Sequence, residues 1–176
     1  MDEHRELDIL RHARHDWMNI IQIIKGNLSL NRTDRVEEIL NETIRRSEHA
    51  SRLTRLEVPK TALFVLSFNW EPHRFSLDVE VTGEPRDCSR LDECWHEILS
   101  SFARELDAAA SPGKDNHLLI TIHSEQEPYV EFDFQGSLEN RSALRNWIAV
   151  YSDTGRCRID HVIWNEKELV FVLTSE

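Results

Sequence analysis

Glycine is scarce in this 176-residue chain, and no two of its five glycines, Gly26, Gly83, Gly113, Gly136 and Gly155, stand close together. A loop that cradles a triphosphate presents several bare backbone N–H groups in one short turn. Nothing of that kind can be built here. Cysteine is as sparse: Cys88, Cys94 and Cys157 are an odd number without CxxC spacing. That pattern argues against a disulfide framework and against a zinc site, and reads as buried or idle thiols in a reducing compartment. Basic charge is also in deficit. The 21 Lys and Arg face 32 Asp and Glu, for a formal net charge of −11. An acidic surface repels phosphate backbones and anionic lipid, so neither nucleic acid nor a membrane surface is the expected partner. No apolar run approaches the ~20 residues of a membrane span. The opening MDEHRELD is charged and does not resemble a secretory leader. These absences together point to a cytoplasmic protein.

What is present divides in two. Leu10, Ala13, Trp17, Ile20, Ile21, Ile24 and Leu28 recur at three- and four-residue spacing, which predicts a helix from Leu7 to Leu30 with one apolar stripe. NRTD (31–34) is a turn, with Thr33 or Asp34 placed to cap a second helix that reaches Leu56 and is stopped by Pro59. Its inner positions are read as Val36, Leu40, Thr43, Ser47, Ala50 and Thr54. Residues 1–58 are thus a helical hairpin. Trp17, Ile20, Ile21 and Ile24 carry more apolar surface than one thin partner helix covers, so two hairpins are expected to pair as a homodimeric four-helix bundle.

Residues 59–176 read differently. TALFVLSFNW is a short buried helix, FSLDVEVTG a strand, and RLDECWHEILSSFARELDAAA a helix turning Leu91, Trp95, Ile98, Leu99, Phe102 and Leu106 inward. HLLITIHS and YVEFDFQG are strands, SLENRSALRNWIAVY a helix, and CRIDHVIWN and ELVFVLTS a closing hairpin. The fold class is α+β, with a C-terminal α/β sandwich of one sheet carrying helices on one face.

On a wheel of ~100° per residue, His15 lies ~170° from the centre of the apolar stripe. It stands in solvent beside Asp16, with Asn19 and Gln22 one and two turns on and Arg14 and Lys25 nearby. Most exposed histidines on amphipathic helices are merely solvated. Here Asp16 can orient the ring, Asn19 and Gln22 offer neutral hydrogen bonds, and Arg14 and Lys25 favour a phosphate. A neutral imidazole is a competent nucleophile near neutral pH, and a phosphorylated one can hand its group on. The pair His12 and His15 could share a metal ion, but two ligands fall short of the three a site wants; no metal role is assigned.

The string RHDWMNIIQIIKGNLSL, followed by DRV and later FNW, resembles the sporulation initiation phosphotransferase B family of spore-forming Gram-positive bacteria. The likeness runs through nearly the whole chain, is densest over residues 14–36 and at Phe68–Trp70, and thins beyond residue 85. It implies a dimeric hairpin whose His15 accepts a phosphoryl group from the aspartyl phosphate of a single-domain response regulator. His15 then passes it to the aspartate of a second regulator, a transcription factor controlling sporulation. His15 and Asp16 are the catalytic pair so implied, and Arg14, Asn19, Gln22 and Lys25 the partner-binding residues. The C-terminal domain is implied to be a degenerate histidine-kinase ATPase domain. Where an active kinase carries asparagines, this chain offers only Ser101 and Glu105, and its loop DFQGSLEN has Gly136 alone. No cofactor is expected, magnesium belonging to the partner regulator. The rival readings are an ATP-dependent sensor-type histidine kinase and a non-catalytic dimeric scaffold for a regulator.

Overall fold

The computed structural model describes residues 3–152 and 157–175, and the chain forms two compact units, Met1–Glu48 and His49–Glu176. In the first unit, α1 (Glu3–Ser29) turns into α2 (Thr33–Thr54), which continues into the second unit. The turn is closed by Asn31 in the left-handed region (φ 56°), and the Arg32 N–H reaches back to the Asn27 carbonyl at 2.9 Å. This six-to-one bond satisfies a carbonyl that the helix end would otherwise leave unpaired.

The hairpin seam is narrower than the periodicity suggests. Ile9, Ala13, Ile20 and Ile24 of α1 are half-buried, and Val36, Ile39 and Thr43 are among the covered residues of α2. Leu10, Trp17, Ile21 and Leu28 are each more than half exposed. The single stripe expected on α1 is therefore two, roughly 80° apart on the helix wheel. Leu40 and Ser47, read as inner positions of α2, also face outward, with Ile44 beside them. A pair of helices touches along one line, so residues about a quarter-turn from that line stay open.

In the second unit, α3 (Pro59–Ser67) and a 3-10 turn over Phe68–Trp70 lead to β1 (Ser76–Thr82). Next come α4 (Asp92–Ala109), β2 (His117–His123), β3 (Tyr129–Gln135), α5 (Arg141–Tyr151), β4 (Cys157–Trp164) and β5 (Glu168–Ser175). The sheet order is β1-β2-β3-β5-β4, with β1 and β2 parallel and every other pair antiparallel. Alternation sends Leu118, Ile120, Ile122, Val130, Phe132, Phe134, Leu169, Phe171 and Leu173 to one buried face. Trp95, Ile98, Leu99, Phe102 and Leu106 of α4 belong to the same core, as expected. Phe102 meets Phe132 and Phe171 edge-on at 5.5 and 4.9 Å, a favoured aromatic geometry.

Side chains carry much of the local architecture. Val58 gives α3 no cap, and the Asp92 carboxylate replaces one by accepting from the Lys60 and Thr61 N–H groups at 3.0 and 2.9 Å. The FNW segment has a structural use. Phe68 packs on Phe75, and Asn69 pairs with Leu77 through both amide atoms, donating at 2.6 Å and accepting at 3.0 Å, as a neighbouring strand would. The free edge of β1 is covered by the end of α2: His49 Nδ1 accepts from the Val81 N–H at 3.0 Å, and Arg52 donates to the Gly83 carbonyl. Unpaired strand edges invite association with other chains, and this cover removes one.

Two expectations need correction here. The last helix starts at Arg141, not Ser137, because the Asn140 side chain caps it by accepting from the Ala143 N–H, and Glu139 bonds to the Ala109 carbonyl before the helix starts. The cysteines are not three idle thiols: Cys94 of α4 and Cys157 of β4 form a disulfide, with Cα atoms 6.6 Å apart across 63 residues, and Cys88 alone is free. An odd count rules out complete pairing, but not one pair.

Candidate functional site

Helix α1 holds His15 outward, its side chain 72% exposed and that of Asp16 53% exposed. Three and four residues make one helical turn, so Asn19 sits directly above His15. Its amide nitrogen lies 3.3 Å from His15 Nδ1, and Asp16 Oδ1 lies 3.8 Å from the same nitrogen. Two polar groups thus lie beside Nδ1. Nε2 is the nitrogen directed away from both.

The surrounding residues are placed as the wheel requires. Arg14, Gln22 and Lys25 are all exposed on α1. Arg11 is tied to Asp8 at 2.8 Å, and His12 Nδ1 donates to the Asp8 carbonyl at 2.8 Å. His12 is therefore engaged with the preceding turn instead of forming a chelating pair with His15. Among the described residues, no group of three or more His, Cys, Asp and Glu converges as a metal site. Met18 and Ile23 flank the His15 face, both about half exposed. They lie outside the apolar stripe.

Ser101 is buried and accepts a hydrogen bond from Trp147 Nε1 at 2.8 Å. The Trp147 ring is 5.1 Å from that of Phe102. Gly136 is required by packing: a Cβ there would lie 2.4 Å from Asn116 Oδ1 and 2.8 Å from Phe134 Cζ. Asn116 is itself buried and bonds to the Arg74 and Ser111 carbonyls and the Ser137 N–H at 2.8–2.9 Å.

Residues 2–56 match the family described as Sensor_kinase_SpoOB-type, alpha-helical domain, and residues 57–176 match Sporulation initiation phospho-transferase B, C-terminal. The chain is also 37% identical to Sporulation initiation phosphotransferase B of Bacillus subtilis (strain 168) over 141 residues, which are 78% of this chain and 73% of that one. It belongs to the sporulation initiation phosphotransferase B family, and it is a phosphotransferase.

Solved structures with a likeness include the catalytic domain of histidine kinase ThkA, at 12% identity and a TM-score of 0.41 over 70% of this chain and 93% of that one. ThkA in complex with response regulator protein TrrA aligns at 14% and 0.41, over 96% and 60%. The Erythrobacter litoralis EL346 blue-light activated histidine kinase aligns at 10% and 0.43, over 96% and 58%. No helix among the described residues is long and apolar enough to cross a membrane.

Proposed function

We propose that this chain is the histidine carrier of a phosphorelay. His15 takes the phosphoryl group from the aspartyl phosphate of a single-domain response regulator and delivers it to the aspartate of a second one, a transcription factor controlling sporulation. The observation that carries this reading is the His15 ring itself: exposed, on a rigid helix, with Nδ1 engaged by Asn19 and Nε2 facing out.

The chemistry balances simply. Nε2 attacks phosphorus from the tautomer that keeps the proton on Nδ1, the Asn19 amide then presenting its oxygen to that proton; the N–P bond forms as the aspartyl O–P bond breaks, and the carboxylate of the donor leaves. Asp16 and the Asn19 oxygen hold the ring and steady the positive charge that develops at Nδ1. In the second half, the acceptor carboxylate attacks the same phosphorus and the imidazole leaves. Donor and product are both high-energy species, so catalysis is positioning and electrostatics. Arg14, Gln22 and Lys25 meet the docked regulator or its phosphate. Magnesium belongs in the acidic pocket of the regulator.

We assign dimerisation and phosphotransfer to residues 1–58 and the sandwich to 59–176. The open stripe of Leu10, Trp17, Ile21 and Leu28, with Leu40 and Ile44, supports a homodimer. Contiguous apolar surface of this kind seldom stays in water. The sandwich is read as having no nucleotide site. Ser101 is occupied by Trp147, and Gly136 is pressed against Asn116, so the residues that stand where a kinase would hold magnesium and phosphate do not fit them. The protein is assigned to the cytoplasm.

The test is a transfer assay with purified chain, a receiver domain carrying labelled aspartyl phosphate and, separately, labelled ATP. Label is expected to move from the receiver to this chain, to vanish in His15→Gln, and not to come from ATP. Label from ATP would make the chain a kinase, and none from either source would make it a scaffold.

A further inference from the structure

The disulfide of the sandwich joins two cysteines in unequal settings. Cys157 opens β4 and is 2% exposed. Cys94, in the first turn of α4, is only partly buried against the core. A thiol from solution can therefore reach the bridge at one end, the Cys94 sulfur. Cys88 is free but 1% exposed, and burial pushes its thiol up, which keeps it out of exchange.

The bridge lies where a tie has an effect. β4 is the last strand of the sheet, paired with β5 alone, and that ladder is irregular between Asp160 and Ile163. The disulfide adds a covalent link from this edge strand to α4, closing a loop across 63 residues. A cross-link over so long a loop restricts the unfolded chain strongly. The Cα separation of 6.6 Å is within the span of a disulfide, so the two thiols can part and meet again without backbone movement. Disulfides of cytoplasmic proteins are mostly transient ones, catalytic or redox-sensing. For a chain assigned to the cytoplasm, a bridge with one reachable sulfur is a bridge that opens and closes.

We propose that Cys94 and Cys157 are a reversible redox site, closed by a low-molecular-weight disulfide and opened by a low-molecular-weight thiol at Cys94, whose state sets how firmly β4 is held in the sandwich. Closing is a two-electron oxidation of the protein. The Cys94 thiolate attacks one sulfur of the small disulfide and expels a small thiolate. The Cys157 thiolate then attacks the Cys94 sulfur of the mixed disulfide and expels the second. The two protons lost by the protein thiols end on the two small thiols released. Opening is the reverse.

The test uses the full chain as wild type, Cys88→Ser, Cys94→Ser and Cys157→Ser, with glutathione disulfide as oxidant and glutathione as reductant. Alkylation followed by mass spectrometry should show the bridge forming and opening reversibly in the wild type and in Cys88→Ser. Their oxidised forms should melt about 5–10 °C above the reduced ones, with slower hydrogen exchange in β4. Cys94→Ser and Cys157→Ser should each melt alike under both conditions. Cys157→Ser should hold glutathione as a mixed disulfide on Cys94, and Cys94→Ser should take up about tenfold less or lower still in the same time. The proposal falls if the wild type forms no bridge at any glutathione ratio, or if glutathione cannot open the bridge. It falls also if oxidised and reduced forms melt together. Equal glutathione uptake by the two single variants would overturn entry at Cys94.

Discussion

Trp147 on α5 donates its indole N–H to the hydroxyl of Ser101 on α4 at 2.8 Å, and both residues are buried. The bond joins the two helices through their buried faces. Trp147→Phe removes the donor and strands a buried hydroxyl, so a loss of about 1 kcal/mol is expected in urea unfolding. Trp147→Ala also empties the space between the helices, and about 3–5 kcal/mol should go with it. Calorimetric titration with magnesium and ATP should give no binding heat for the wild type. Binding heat would mean that Trp147 swings aside and that the closed geometry is only one state of the domain.

Asn19 contacts Nδ1 of His15, and in the proposed mechanism its role is one of orientation. Asn19→Ala should slow single-turnover transfer about tenfold, the worth of roughly 1.4 kcal/mol in the barrier. Because Asn19 is exposed, its loss should leave the melting temperature within the scatter of a surface substitution. A matching slowdown with phosphoramidate as donor would place the effect on the ring of His15. A slowdown seen only with the regulator would place it in docking.

Both the helix of His15 and the face it occupies were legible in the sequence, because a 3.6-residue period is a local property and needs no tertiary information. The five inward residues of α4 were legible for the same reason. What escaped was long-range. Ser101 and Trp147 are 46 residues apart, and no spacing rule joins a serine to a tryptophan. Cys94 and Cys157 meet across 63 residues, a pairing that no local pattern reports. The start of α5 moved because Asn140 competes for the helix end through its side chain, which periodicity does not see. Leu40 was misplaced because a wheel gives the width of an apolar face but not the line along which a partner touches it.

The unpaired stripe on the hairpin makes the dimer testable. Trp17 and Ile21 are both more than half exposed, so a charge at either costs the isolated chain little. Trp17→Glu and Ile21→Glu should each weaken self-association by about 2 kcal/mol or more, as residues at the centre of an interface do. Sedimentation velocity over a concentration series reads this directly. Unchanged sedimentation in the double variant would assign the stripe to some other occupant.

Glu42 on α2 sits between two guanidinium groups, accepting from Arg46 at 2.8 Å and Arg45 at 3.1 Å. The hydrogen bond from Arg46, reinforced by Arg45 against a partial burial cost, holds its carboxyl below the ordinary glutamate value. A carboxylate more acidic in the folded chain contributes stability above its unfolded pKa and loses it as pH falls through the folded one. The side chain is 43% exposed, so water and salt screen the gain to about 0.3 kcal/mol per pair. Thermal melts of wild type and Glu42→Gln should therefore differ slightly at neutral pH and converge below about pH 4, where the ordinary carboxylate range ends. They should also converge at neutral pH in 1 M salt, because at that ionic strength the Debye length shrinks to about 3 Å. A gap that survives both conditions would mean that Glu42 acts through packing on the hairpin and not through charge.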